Sequence, residues 1–395
     1  TYRPETSVAG FIQLPGSGRQ VYNFNPGWRF FKGDIHGAES VDFDDRSWTI
    51  VSTPHTVELM PAEASGCRNY QGPAWYRKHF VLPAETKGKR VLIHFEAAMG
   101  KQVLYLNGKR IQEHVGGYLP FTLDLTTNGI QAGDSCLLAI FVDNSNDKSF
   151  PPGKPQYTLD FAYHGGIYRD VWMIAKSPVS ITDPLDSQTV AGGGVFVQFD
   201  KISEKSAQVY VNTELQNDNQ HTETVTVETT LTDADGKVIK RTSGKLSLKS
   251  GEKKIIRQQI EVKSPKLWSP DAPYLYKVQS RIKKGNQSID GGITRIGIRL
   301  AEFRGKDGFW LNGKPFVQLV GVNRHQDFAY VGNALPNSQQ WRDAKRLRDA
   351  GCTIIRVAHY PQDPSFMDAC DELGMFVIVA TPGWQYWNKD VKFGE

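Results

Sequence analysis

The sequence predicts a multidomain β plus α/β protein: two antiparallel sandwiches, then the opening of a parallel strand–helix unit. Three observations carry this prediction. Residues 1–178 hold many short runs of alternating polarity between turn signals, as in a sandwich or jelly roll. Residues 179–298 repeat the alternation in longer strands whose size and spacing suit an immunoglobulin-like sandwich. From residue 299 to 395 the pattern changes to strand, helix, strand, helix, strand, with continuously apolar strands of the kind that parallel sheets bury on both faces. At 395 residues the chain is too long for one core, and two to four domains are expected.

In the first unit, residues 24–30 read as a turn feeding a strand, and residues 44–48 as a one-turn helix. Residues 75–80, 91–95 and 103–106 alternate clearly, and Asn107-Gly108 closes the last of these as a hairpin. Residues 116–125 and 136–142 continue the pattern. Two loops stand out. Residues 69–73, Asn-Tyr-Gln-Gly-Pro, are polar and tight; residues 149–163 are long, Pro-rich and carry Asp160. Long ordered loops in compact domains are commonly functional, so Asp160 is a candidate for reaching a neighbouring site, the alternative being an acid that serves a turn. The second unit shows strands at 195–199, 207–215, 222–231, 254–262 and 275–282, with Asp235-Gly236 as a hairpin and no chemistry of its own. It reads as a spacer.

The third unit is entered through a hairpin at Asn312-Gly313. Its strands are expected at 316–322, 353–357 and 375–379, with helices at 338–350 and 365–373. Polar residues gather just past the strand ends: Asn323, Arg324, His325 and Asp327 after the first, Arg356 and His359 at the second. Barrels and doubly wound sheets place their sites there. Arg356 and His359 straddle one strand end and present donors suited to hydroxyls or a carboxylate, against the alternatives of an ion pair and a capping histidine. A closed barrel needs eight strands and three are legible, so the chain reads as ending inside the barrel.

Composition narrows the classes. Hydrophobic residues make up 39% and aromatics 11%, ordinary for a globular protein. The net charge of +5 comes from 47 basic residues scattered among 42 acids, without the concentrated stripe that nucleic-acid binding needs. No run has membrane-spanning length. The four cysteines, Cys67, Cys136, Cys352 and Cys370, lack metal spacing, and the last two read as inert core thiols. The chain opens on Thr1, which fits a removed leader and equally a shortened chain.

The motifs Trp75-Tyr76-Arg77, Leu106-Asn107-Gly108, Gly116-Gly117-Tyr118-Leu119-Pro120-Phe121 and Gly165-Gly166-Ile167-Tyr168-Arg169-Asp170-Val171 stand in the first unit. Gly321-Val322-Asn323-Arg324-His325, Arg356-Val357-Ala358-His359-Tyr360-Pro361 and Asp371-Glu372-Leu373-Gly374 stand in the third. In this order the chain resembles the family 2 glycoside hydrolases, the β-galactosidases, β-glucuronidases and β-mannosidases. The resemblance implies a jelly-roll sugar-binding domain (1–178), an immunoglobulin-like sandwich (179–298) and the first part of a TIM-barrel catalytic domain (299–395). It implies retaining hydrolysis of a β-linked glycoside or oligosaccharide by two glutamates at the ends of barrel strands four and seven, which places both beyond residue 395.

By the same resemblance, His325, Arg356 and His359 line the subsite for the non-reducing sugar. Asp160 matches the acid that β-galactosidases send from the first domain into the barrel, and this favours galactose. Asn69 or Gln71 is expected to assist from the other loop. Trp384 and Trp387 either stack on a sugar face or belong to the core. Some β-galactosidases of the family hold magnesium through an acid and a histidine after strand three. Here Val379 is followed by Ala380-Thr381-Pro382-Gly383-Trp384, so no metal and no cofactor is expected. A β-glycosidase with a trimmed start points to the periplasm or cell exterior, with the cytoplasm as the alternative, and a homo-oligomer is possible. A non-catalytic carbohydrate-binding protein is the competing class.

Overall fold

A computed structural model describes residues 13–61, 69–190, 192–317 and 319–381. The first unit is a sandwich of two antiparallel sheets. One has six strands in the order Thr49–Val51, Trp28–Lys32, Pro73–Val81, Ser135–Asp143, Lys101–Leu106 and Lys109–Val115. The other has four: Gln20–Asn23, Val171–Lys176, Arg90–Phe95 and Phe121–Asp124. Alternate residues fill the space between them, Trp28, Tyr76, Ile93, Phe95, Leu104 and Met173 among them. Each large side chain fully buried here contributes roughly 1.5–3 kcal/mol. Asn107 and Gly108 both adopt positive φ, as the tight turn between Lys101–Leu106 and Lys109–Val115 requires.

The immunoglobulin-like unit packs the sheet around Ser206–Asn217 on the sheet Val238–Leu248, Glu223–Thr232, Tyr276–Lys284 and Gln287–Ile296. Val209, Val211, Leu231, Ile260 and Val278 meet in its centre. Two of these strands, Val238–Leu248 and Gln287–Ile296, are absent from the sequence prediction. The first is a run of Lys, Arg, Thr and Ser exposed along most of its length, so it carries no apolar alternation to read.

Three predictions are corrected. Residues 44–48 form a turn, not a helix: Asp44 Oδ1 accepts from Arg46 N at 3.1 Å, and the Asp45 carbonyl accepts from Trp48 N at 3.0 Å. The first barrel strand is Gly321–Arg324, not 316–322. It pairs in parallel with Ile354–Val357, which pairs in parallel with Phe376–Val379. Nor are these strands buried on both faces, since Val322, Ile378 and Val379 are about half exposed at 47%, 51% and 51%. The helices Asn337–Asp349 and Pro364–Leu373 cover one side of the sheet, through Trp341, Ala344, Ile355, Val357 and Phe366. No described helix is long and apolar enough to cross a membrane.

Candidate functional site

The parallel register sets Arg324 level with Val357, so His325 and His359 leave the sheet at the same end. Gly321 is required at the start of its strand, because a Cβ there would lie 1.7 Å from the carbonyl oxygen of Ile354. Arg324 anchors the strand end. It donates to Gln362 at 2.6 Å and to Gln340 and Asp343 at 2.8 Å, and its guanidinium lies 4.0 Å over the Phe366 ring. This motif arginine is therefore structural and presents its neighbour. The His325 and His359 rings meet edge to face, with centroids 5.4 Å apart.

The loop of residues 149–163 comes from the jelly roll and is held by its own polar groups. Gln156 Nε2 donates to Asn69 Oδ1, Tyr163 N donates to Gln156 Oε1 at 2.9 Å, and Asn69 Nδ2 donates to the Tyr163 carbonyl at 3.2 Å. So held, the loop sets Asp160 Oδ2 3.4 Å from His359 Nε2. The next residue, Phe161, is buried with its ring centroid 5.6 Å from His359, 6.1 Å from His325 and 5.5 Å from Tyr360. Two consecutive residues of one domain thus touch both histidines of another. Asp160 keeps 60% of its side chain exposed while His359 keeps 5%, so the carboxylate faces the open side.

Burial pushes the pKa of His359 down, with the Asp160 carboxylate acting against it. The imidazole is neutral at neutral pH, and one ring nitrogen is a donor and the other an acceptor. Arg356 is half-buried, its Nη1 3.5 Å from Asn323 Oδ1. The arrangement offers a carboxylate acceptor, a neutral imidazole and a guanidinium donor at one strand end, a set that matches the mixed hydroxyls of a sugar ring.

Asn69 differs from expectation. It is 8% exposed, and both ends of its amide are engaged by the loop, so it shapes the loop that carries Asp160. Trp384 and Trp387 lie outside the described residues, as does the stretch from Pro382 onward that bears on magnesium. Among the described residues no group of three His, Cys, Asp or Glu could hold a metal ion. Of the other acids near the strand ends, Asp363 caps the helix Pro364–Leu373 by accepting from Ser365 N at 2.8 Å. Burial raises the pKa of Asp327, with His164 of the jelly roll acting against it. Glu372 pairs with Arg295 of the second domain.

Family models match the three units in turn: the sugar-binding domain of glycosyl hydrolases family 2 over residues 38–178, the glycosyl hydrolases family 2 model over 193–299, and the family's TIM-barrel domain over 303–389. The chain belongs to glycosyl hydrolase family 2. A β-galactosidase of Thermoanaerobacter pseudethanolicus is 36% identical over 93% of this chain and 47% of its own length. A β-glucuronidase of Formosa agariphila is 33% identical over 93% of this chain and 38% of its own. Among solved structures, a family 2 β-glucuronidase superposes with a TM-score of 0.84 at 32% identity, over 94% of this chain and 40% of that one. Bacteroides uniformis β-glucuronidase 2, covalently bound to cyclophellitol-6-carboxylate aziridine, gives 0.82 at 31%, over 93% and 44%. The chain thus spans half or less of the length of these relatives.

Within the family frame, three of the motifs that carry the resemblance, around Tyr118, Arg169-Asp170 and Tyr360-Pro361, meet at the seam between jelly roll and barrel. Tyr118 stacks on Tyr360, with centroids 4.3 Å apart and planes at 7°. Arg169 donates to the Pro361 carbonyl at 2.7 Å and to Gln326 at 3.3 Å. Asp170 accepts from Asn25 and from Asn337, each at 2.9 Å. Gly166 sits where a Cβ would lie 2.4 Å from the His55 carbonyl. Phe161 went unremarked in the sequence; its position directly after Asp160 was the available signal.

Proposed function

We propose that this chain forms the sugar-holding half of a retaining β-glycosidase that acts on terminal non-reducing β-D-galactosides, in a parent enzyme whose two catalytic glutamates lie beyond residue 395. The contact between Asp160 and His359 carries the reading. An exposed carboxylate can accept two hydroxyl hydrogen bonds and so select their configuration, while His359, Arg356 and His325 supply donors from the strand ends. Holding the ring there would present the anomeric carbon to two carboxyl groups roughly 5–5.5 Å apart, one protonating the leaving oxygen and the other attacking the opposite face. The similarity to a β-galactosidase over most of the chain supports this choice.

A β-glucuronidase is the second reading. It is favoured by the relatives bearing that name and by Arg356, whose guanidinium suits a sugar carboxylate. Hydrolysis of nitrophenyl β-galactoside, β-glucuronide and β-mannoside by the full-length protein tests both. Preferential release from the galactoside is expected. Preference for the glucuronide replaces the first reading with the second, and no release from any of the three rejects the glycosidase proposal.

A further inference from the structure

The outer face of the four-stranded jelly-roll sheet is the floor of a second cavity. In the paired strands Arg90–Phe95 and Val171–Lys176, Val91, Ile93, Phe95, Val171, Met173 and Ala175 point into the sandwich core. The alternate residues Leu92, His94, Ile174 and Lys176, with Glu96 just past its strand, line a cavity of about 470 Å³. Its walls come from the other two domains, through Ile181 and Ile293 on one side and Pro361 on the other. Asp160, His325, Arg356 and His359 are not among its lining residues, so it is separate from the sugar site.

The two ends of this floor are polar and chemically different. At one end Lys176, 2% exposed, donates to the Ile181 carbonyl at 3.1 Å, and among the described residues it has no ion-pair partner. Burial, Arg19 and Arg90 push the pKa of Lys176 down to about 8, against Asp290 and Asp183. Asp290 is bound to Arg19 and to Ile181 N, each at 2.8 Å, and Asp183, which lines the same end, accepts from Leu185 N at 2.9 Å, so neither meets the ammonium directly. A buried ammonium without a carboxylate is costly unless something else supplies one. At the other end Glu96 and Arg169, each 3% exposed, leave Glu96 Oε2 and Arg169 Nε without a hydrogen-bond partner, although Glu96 Oε1 accepts from Trp172 at 2.9 Å. Burial, then Asp363 and Asp170 behind it, pushes the pKa of Glu96 up, with Trp172 and Arg169 acting against it. Between the ends, Leu92 and Ile174 are apolar, and His94 is neutral because burial pushes its pKa down to about 4, against Asp183.

Register gives the separation. Val171 lies opposite Phe95, next to Glu96, and Lys176 is five residues further along the same strand. At about 3.3 Å per residue the two ends are roughly 16 Å apart along the backbone, less the reach of the side chains. A compact anion cannot meet both.

We propose that this three-domain cavity binds an elongated hydroxycarboxylate, with its carboxylate at Lys176, its apolar body along Leu92 and Ile174, and its hydroxyl between Glu96 Oε2 and Arg169 Nε. A hydroxyl both donates and accepts, which is what that pair lacks, while the ammonium at the far end calls for an anion. Calorimetric titration of the whole chain with ω-hydroxyoctanoate, octanoate and octanediol, under saturating galactose, tests this without relying on turnover. The hydroxycarboxylate binds, and removing either end group weakens binding at least about tenfold. Lys176→Met removes its advantage over the diol, and Glu96→Leu its advantage over octanoate. No heat from the hydroxycarboxylate overturns the proposal, as does equal binding of all three compounds. Should either variant fail to fold by circular dichroism, the ligand series on the native chain decides alone. Because the glycosidase reading is tested by aryl glycoside release, the two can fail separately.

Discussion

The two sandwiches share one folding rule and differ in how their buried polar groups meet the sugar site. In the immunoglobulin-like domain one set of these groups closes locally, although Asp290 accepts from Arg19 of the jelly roll and Arg295 pairs with Glu372 of the barrel. Thr229 donates to Gln258 at 2.6 Å, Asn217 donates to the carbonyls of His221, Leu248 and Lys249, and Glu214 accepts from Thr182, Ser187 and Thr189. In the jelly roll one set closes internally, as Arg77 does on Asp45, and another reaches outward. Arg169 meets Pro361, Asp170 meets Asn337, Asp160 meets His359, and His164 lies 3.4 Å from Asn333. A polar group satisfied inside its own domain stabilises that domain alone. One satisfied across a boundary makes the arrangement of two domains a condition of its burial, because undocking would leave it unpaired. The second sandwich is thus tied to its neighbours away from the sugar site, through Asp290 and Arg295, whereas the first is built to hold the barrel's strand ends.

Substitutions can break or sharpen that contrast. The largest loss of stability is expected inside the jelly roll at Arg77→Met. It leaves Asp45 without the buried guanidinium 2.8 Å away, and it should lower the unfolding free energy in urea by about 4 kcal/mol. Leu231→Ala in the second sandwich should cost about 3 kcal/mol by cavity formation, yet leave KM for any glycoside unchanged in the full-length protein. A shift in KM there would mean that the core of that domain is coupled to the sugar site. Asp160→Ala should do the reverse. Its kcat/KM on the preferred aryl glycoside falls about 100-fold, near 2.7 kcal/mol, with the melting temperature unchanged.

Acid should also separate the sandwiches. Burial lowers the pKa of His55, His94 and His114 to about 4, from a usual value of 6.5. Between those values the unfolded chain binds more protons, so the jelly roll loses stability as pH falls from about 6.5 towards 4. Asp170 acts in the opposite direction. Its pKa is raised to about 6 by burial and then by Asp363, so the folded state binds the extra proton between 3.8 and about 6 and is favoured as pH falls through that window. The histidine shifts outweigh that of Asp170, so a net loss of stability is expected in acid urea titrations, and His94→Leu should flatten it. Smallest is Asn337→Ala, which removes one donor to Asp170 across the seam and should cost about 1 kcal/mol by urea titration.

Sequence alone determined the element types. Strict alternation wrote the sandwich strands, Asn107-Gly108 and Asn312-Gly313 wrote their hairpins through positive φ, and the change of period near residue 316 announced the parallel unit. It also singled out Asp160, His325, Arg356 and His359 as polar residues in the right chemical company. What it missed followed from the limits of local pattern. Val238–Leu248 is a strand written largely in exposed Lys, Arg and Ser, and the barrel strand begins at Gly321 because only glycine tolerates the Ile354 carbonyl at that point of the parallel register. Asn69 has the composition of a sugar ligand, but its amide closes the loop. Asp160 and His359 are 199 positions apart, and Tyr118 stacks on Tyr360 across a domain boundary. Only the tertiary structure decided these meetings, because periodicity reports which face of a strand is buried and carries no information about which distant segment buries it.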